Sequence, residues 1–283
     1  MVYIENSPAL WLPYFPWPQA HYHKYDRGHA VILGGDFGYT GAAILAAKSA
    51  LRSGAGLVSI ACTPSTASIY ATAAYAAILS KIFTHGDDFQ KTITDSRVKA
   101  VLLGPGAGIT PQTRDFVLQS LSLRKNTILD ADALTLFQET PQQLFSAIQS
   151  PVILTPHGGE YARIFGQIPP QEAATRSKAV MVLKGNQTII ASPDGRLAIN
   201  DSASPFLASA GTGDVLAGIC TGLVAQEMPV FEAACAAVWI HSAAAKKYGA
   251  GLIADDLPEL IPVILHELFS ASGGQQSVQP LKS

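Results

Sequence analysis

The 283-residue chain is 48% hydrophobic and 14% charged, and its 19 Lys and Arg against 21 Asp and Glu leave a formal net charge of −2. That length is enough for a large core in one or two domains, and the near-neutral balance excludes binding of nucleic acid through a basic surface. Three widely spaced cysteines, Cys62, Cys220 and Cys235, form neither a disulfide framework nor a zinc pattern, which points to a reducing, cytoplasmic setting.

Residues 1–24 read as a Pro- and aromatic-rich arm. The segment carries Glu5, lacks a basic start and is broken by four prolines up to Pro18, so it is not a secretory signal. Trp11, Tyr14, Phe15 and Trp17 are costly to expose together, so the arm is expected to cover the body or a neighbouring subunit of a homo-oligomer. His21, His23 and His29 cluster in sequence, but no carboxylate or cysteine completes a metal set, which places them at the surface. Residues 25–269 read as a single domain. Its candidate strands are 30–33, 57–61, 100–103, 127–129, 151–154, 180–183 and 188–191, and its candidate helices 42–53, 111–121, 159–165, 213–226, 230–248 and 257–269. Runs that are apolar throughout suggest strands buried on both faces, and the alternation argues for an α/β fold with a largely parallel central sheet and helices on both faces. The stretch 207–225 is nearly uncharged and long enough for a bilayer. Its glycines, and Asp214 near its centre, make it a buried helix behind a ligand loop, not a membrane span. The tail 270–283, rich in Ser, Gly and Gln, is expected to be disordered.

In open sheets of this kind, ligands bind beyond the carboxyl ends of the strands, and the unusual residues gather there. After the first strand, Gly34-Gly35-Asp36 leads to Gly41-Ala42-Ala43 without the spacing of a dinucleotide fingerprint or a Walker loop. Gly41 and Ala42 offer either close backbone approach to a substrate or a tight start to a helix. Gly104 to Gly108 has no side chain for chemistry and is either a bare wall for a bulky ligand or a plain turn. Of Asp130 and Asp132, one can hold a magnesium-bound water and the other cap a helix at Ala133, the cap falling to Asp132. His157, between Pro156 and two glycines, is a ligand contact or a structural histidine. Glu160 supports the helix dipole and pairs with Arg163. Lys184 reaches nucleotide phosphates or stays solvated. Cys220 and Cys235 read as small core residues. Gly211-Thr212-Gly213 precedes Asp214 and a helix, whose unpaired first N–H groups can cradle a phosphate. Asp214 is then a base beside that phosphate, or merely a helix cap after a glycine turn.

Each motif is weak alone, but the ordered set is specific. Gly-Gly…Gly-Ala-Ala, Gly-Pro-Gly, Asp-Ala-Asp-Ala-Leu, Thr-Pro-His-x-Gly-Glu, Leu-Lys-Gly and Ala-Gly-Thr-Gly-Asp-Val-Leu-Ala-Gly together resemble the ADP/ATP-dependent NAD(P)H-hydrate dehydratase family of the ribokinase-like superfamily, over residues 24–269. The resemblance implies a ribokinase-like fold and a lyase acting on the S form of hydrated NADH or NADPH. ADP or ATP is the implied co-substrate, with Mg2+. The nucleotide phosphorylates the ring hydroxyl, phosphate leaves, and the ring nitrogen's lone pair restores the double bond. By motif position, Ala42, Gly106, His157 and Asp214 contact the hydrate, and Lys184, Gly185, Asn186, Gln187, Thr188 and Gly213 contact the nucleotide. Asp214 is the implied catalytic base, and the amides of Gly211, Thr212 and Gly213 the anion hole. Two positions depart from the family pattern: Gly158 stands where proline is usual, and Asn200-Asp201-Ser202 stands for Asn-Gly-Asn. The chain has no room for the epimerase domain often fused to such enzymes, so a separate epimerase is expected to serve the same pool. Gly-Thr-Gly-Asp alone also suits a kinase of a vitamin-precursor alcohol of the thiazole or pyrimidine type. A non-catalytic nucleotide-binding regulator is a third reading, opposed by the intact Asp214 loop.

Overall fold

The structure is a computed structural model that describes residues 3–201 and 204–272. Among the described residues ten strands share one sheet: β1 (Ile4–Glu5), β2 (His29–Leu33), β3 (Leu57–Cys62), β4 (Ile78–Ile82), β5 (Val98–Leu103), β6 (Asn126–Leu129), β7 (Val152–Leu154), β8 (Val180–Leu183), β9 (Thr188–Ala191) and β10 (Leu197–Asn200). Their spatial order is β1-β10-β9-β8-β7-β6-β5-β2-β3-β4. Every neighbouring pair is parallel except the two that β9 makes with β8 and β10. The helices are α1 (Pro8–Trp11), α2 (Thr40–Arg52), α3 (Ala67–Ala73), α4 (Gly86–Thr94), α5 (Pro111–Ser122), α6 (Asp132–Thr135), α7 (Pro141–Ala147), α8 (Gly158–Phe165), α9 (Pro170–Ser177), α10 (Thr212–Ala225), α11 (Val230–Tyr248) and α12 (Leu257–Ala271).

The all-apolar strands divide their side chains between two cores, as a strand's period of two requires. In β2, Ala30 and Ile32 join the core made with α2, α10, α11 and α12, while Val31 and Leu33 join the one made with α4, α5, α7 and α8. Two glycines of the nearly uncharged 207–225 stretch, Gly218 and Gly222, are there for helix contact. A Cβ on Gly218 would lie 2.3 Å from the Ala46 carbonyl oxygen, and one on Gly222 2.4 Å from that of Ala50. α10 thus rests directly on α2, which fixes the position of its first turn. No helix among the described residues is long and apolar enough to cross a membrane.

Trp11, Phe15 and Trp17 of the arm pack on its own chain, while Tyr14 is exposed. β1 pairs with β10, Trp11 is fully buried against Phe15 and Trp239, and Trp17 packs on Phe269 of α12. His29 is not a surface residue: it is buried in β2, its Nε2 lies 2.8 Å from Ser59 Oγ, and burial pushes its pKa down to about 4. Of the tail expected to be disordered, Ser270 and Ala271 continue α12, and residues 273–283 lie outside the described residues.

From β2 the chain moves outward through β3 and β4, then returns to β5 on the other side of β2. The crevice at the carboxyl ends of β2 and β5 is therefore a topological switch point, where ligands of open α/β sheets bind.

Candidate active site

The first turn of α10 points into this rim. Gly211 is its N-cap at φ 89°, a left-handed conformation that suits glycine. Thr212 Oγ1 donates to the Leu207 carbonyl (2.8 Å) and to that of Ser209 (3.0 Å), which pins the loop. The Val215 amide makes the first helical bond, to Gly211 O at 3.2 Å, so the amides of Thr212, Gly213 and Asp214 precede it and are available to an anion. Asp214 stands third in the helix, and no side chain caps α10, which overturns the cap reading of that residue. Its carboxyl is pushed up to about 6, by burial first and then by the charge of Asp130, with Asp132 adding and Lys184 opposing.

Asp130, buried at the end of β6, and Lys184, half-buried just past β8, form an ion pair with Nζ 2.8 Å from Oδ1. Burial works against the ammonium. Asp130, by charge and by hydrogen bond, together with the charges of Glu160 and Asp214, more than offsets it, so Lys184 sits above the ordinary lysine value. A Cβ built on Gly213 would lie 3.4 Å from Lys184 Nζ and 4.0 Å from Asp130 Oδ2. The pair therefore lies directly against the anion loop, and Lys184 is not a solvated surface lysine.

Asp132 does not cap α6; Ala131 holds that position at φ 47°, a strained value for a residue with a side chain. Asp132 Oδ2 instead accepts from the Gly108 amide (2.8 Å), tying the β5 loop to the β6 loop. That loop packs against the one after β2: a Cβ on Gly106 would lie 2.5 Å from the Tyr39 carbonyl oxygen and 3.4 Å from the Ala42 Cβ. Ala42 and Gly106, two of the four residues assigned to the hydrate, are thus brought together.

His157 caps α8. Its Nδ1 accepts from the amides of Gly159 (2.9 Å) and Glu160 (3.3 Å), and its own amide donates to Glu160 Oε2 (2.8 Å), a reciprocal capping box. Glu160 is therefore engaged by His157 and not by Arg163. Because Nδ1 accepts, the neutral ring carries its proton on Nε2, which lies 3.5 Å from Glu160 Oε1 on a side chain that is 55% exposed. The histidine is structural and still presents one donor. Its loop is joined to the lysine strand by Lys184 N donating to Pro156 O at 2.9 Å.

Behind the anion loop lies a cavity of about 500 Å³. Lys184, Gly185, Asn186, Thr188 and Gly213 line it, five of the six residues assigned to the nucleotide. Gln187 does not: on the exposed turn between β8 and β9 it hydrogen-bonds Asp201 instead. Ser202, the next departure from the family pattern, lies outside the described residues. A larger space, about 880 Å³, sits beneath the arm among Phe15, Trp17, Arg27 and Phe269 and shares no lining residue with the first. The smaller cavity is lined by Lys184 of the ion pair and by Thr212 and Gly213 of the anion loop, next to Asp214 in sequence. Among the described residues, no group of three His, Cys, Asp or Glu is arranged to hold a metal ion by itself.

The model of the NAD(P)H-hydrate dehydratase family matches residues 30–264. The chain belongs to this family. An ADP-dependent (S)-NAD(P)H-hydrate dehydratase from Neisseria meningitidis is 35% identical to it, covering 82% of this chain and 81% of its own length. A bifunctional NAD(P)H-hydrate repair enzyme from Salinibacter ruber is 36% identical and covers 96% of this chain but 54% of its own length. The chain spans about half the length of the bifunctional relatives it matches. The ADP/ATP-dependent NAD(P)H-hydrate dehydratase of Bacillus subtilis, co-crystallized with ATP and Mg2+, superposes with a TM-score of 0.82 at 29% identity, covering 95% of this chain and 99% of that one. The fold is ribokinase-like.

Sequence reasoning missed one wall of this NAD(P)H-hydrate dehydratase family member's cavity. His241, Ser242 and Val238 of α11 line it together with Leu216 of α10. The signal was two polar residues in the apolar middle of α11, at a position no strand-end motif marks.

Proposed function

We propose that this chain carries out the nucleotide-dependent dehydration of the S form of hydrated NADH or NADPH. The observation that carries the reading is the Asp214 carboxyl, pushed up to about 6 at a helix N-terminus beside the half-buried Lys184. A carboxylate near that value is ionised at neutral pH yet basic enough to take a proton from a hydroxyl in the transition state. Asp214 removes the proton of the ring hydroxyl as its oxygen attacks the terminal phosphorus of ADP or ATP. The bond to the nucleotide's bridging oxygen breaks, and AMP or ADP departs. The amides of Thr212, Gly213 and Asp214 hold the charge on the transferred group. Phosphate then leaves the ring carbon with its electron pair as the nitrogen lone pair forms a C=N+ bond, and loss of a proton from the adjacent ring carbon, to water or to the departing phosphate, restores the ring C=C bond and the neutral nitrogen. Hydroxide is a poor leaving group and phosphate a good one, which is what the nucleotide supplies.

Lys184, held charged by Asp130, lies where it can meet nucleotide phosphates. Asp130, Asp132 and Asp214 outnumber that one cation, so the site favours a divalent ion arriving with the nucleotide. Asp130 Oδ2 and Asp132 Oδ1 are the oxygens that their protein bonds leave for Mg2+ or its waters. Mg2+ supplies neutralisation of phosphate charge. The three cysteines are buried and free, which supports a cytoplasmic setting.

The test is incubation with chemically hydrated NADH plus ADP or ATP. Reduced-nicotinamide absorbance returns in step with spent nucleotide and free phosphate. A stable phosphoester of a thiazole or pyrimidine alcohol, with no recovered NADH, would instead identify a kinase. Nucleotide binding without turnover of either substrate would identify a regulator.

A further inference from the structure

Tyr70 of α3, in the crossover between β3 and β4, reaches back to the end of β2. It is fully buried, and its hydroxyl donates to the Gly35 carbonyl at 3.0 Å. Gly35 is itself buried, and among the described residues Tyr70 is the one donor that reaches this carbonyl. Burial pushes the phenol further above its ordinary value, so the hydroxyl keeps its proton. The same hydroxyl fills the space beside Gly34, where a Cβ would lie 2.9 Å from it. One side chain from outside the strand-end motifs therefore holds the base of the loop after β2.

On that base stand the residues assigned to the hydrate. A Cβ built on Gly35 would lie 2.2 Å from the Gly106 carbonyl oxygen and 2.7 Å from that of Tyr39. Gly35 is thus wedged between the β5 loop and the turn into α2, a turn closed by the Tyr39 amide donating to Asp36 O at 2.9 Å. Gly106 in turn packs toward Ala42. A buried carbonyl that loses its donor is driven to move toward another. Gly35 would move with it, and backbone packed this closely has no slack to absorb the shift. The spacing of Ala42 and Gly106 then changes. The nucleotide side is supported separately: no residue of 34–42 or 104–108 lines the cavity behind the anion loop.

We propose that Tyr70 is a positioning residue for the hydrated dinucleotide, fixing through Gly35 the distance between the two loops that carry Ala42 and Gly106. This inference rests on the dehydratase reading given above and deepens it on the substrate side.

The test is Tyr70→Phe, which keeps the buried ring and removes the donor. Steady-state rates with chemically hydrated NADH, calorimetric titration of ADP or ATP, and thermal melts are measured on the full chain. KM for the hydrate is expected to rise about 10-fold, the scale of one hydrogen bond. Nucleotide affinity and kcat should stay close to wild type. A merely structural tyrosine would lower the melting temperature and leave KM where it was, which would overturn the proposal. An equal loss of nucleotide affinity would overturn it too. Gly34→Ala gives an independent reading, because its Cβ crowds the same hydroxyl. If both changes act through the Gly35 carbonyl, the double variant raises KM no more than the larger single one does. Effects that multiply would overturn the proposal. Should Tyr70→Phe not fold, Gly34→Ala decides alone, and an unchanged KM overturns the proposal. An active wild-type chain whose Tyr70→Phe variant keeps its KM overturns this inference alone. A wild-type chain that restores no NADH overturns the dehydratase reading and this inference with it.

Discussion

The N-termini of α8 and α10 both face the rim, and each carries an acid at its third helical position, Glu160 in one and Asp214 in the other. Their fates differ because the residues before them differ. His157 has a side chain that caps α8, and Glu160 completes the capping box by accepting the His157 amide. Gly211 has no side chain to offer, so nothing caps α10, and its acid is left facing the cleft with a raised pKa. The same helix position is structural where the cap residue engages it and chemical where a glycine leaves it free.

The largest expected consequence is catalytic. Asp214→Asn keeps the shape and removes the base, so turnover falls by about a hundred- to ten-thousand-fold while ADP or ATP affinity is largely kept. Steady-state rates beside calorimetric titration check this. In the unsubstituted chain, kcat/KM falls as pH drops through about 6, where Asp214 gains its proton. Near-normal turnover by the variant would remove the contrast between the two acids.

Lys184→Met sharpens the contrast from the other side. It strands Asp130, whose side chain is 2% exposed, and breaking a buried pair in this way costs about 3–5 kcal/mol. Lys184 also holds the Asp214 pKa down, so its loss moves the acid limb of kcat/KM to higher pH. Chemical denaturation and the pH profile read the two effects separately. An unchanged limb would mean that Lys184 does not act on the base.

Much of this rim was legible in the sequence because its glycines, acids, histidine and lysine sit at the ends of all-apolar strands. What was not legible arises across the sheet. Nothing in the order of residues pairs Asp130 with Lys184, gives Asp132 to Gly108, or brings His241 to the cavity from α11. The unread strand β4 is an edge: Ile78 is buried, but Leu79 and Ile82 are 42% and 56% exposed, so no continuous apolar run marks it. Helix α4 was missed because its buried face rests on only Phe89 and Ile93 amid polar residues. His157 was read as cap or contact and is a cap with one donor left over.

A third effect is smaller and opposite in sign for the two acids. Asp214 moves from the ordinary value of 3.8 up to about 6 in the fold. Below the unfolded-state value both states are protonated and the fold keeps its full stability at this site. As pH rises through about 6 the buried carboxyl ionises and that stability is lost, a cost of roughly 1–3 kcal/mol at neutral pH. Asp214→Asn should therefore raise the melting temperature at pH 7 and change it little at pH 4. Glu160→Ala removes half of a capping box and should lower it, by about 0.5–2 kcal/mol of stability. Parallel thermal melts at the two pH values compare them, and the same sign for both would end the distinction.

The smallest effect separates the two tasks of His157. His157→Ala loses the Nδ1 cap of α8, worth about 0.5–2 kcal/mol, together with the exposed Nε2–H donor. Asn is among the best capping residues, so His157→Asn should restore the melting temperature. Its shorter side chain spends its oxygen on the cap and has no second ring nitrogen to reach a ligand. If Nε2–H meets the hydrate, KM for the hydrate stays raised in His157→Asn by about 3- to 10-fold, the scale of one neutral hydrogen bond, while ADP or ATP affinity is unaffected. If the histidine is only a cap, His157→Asn recovers KM and melting temperature together. That result would place His157 wholly with Glu160 on the structural side and leave Asp214 as the acid whose helix terminus serves the reaction.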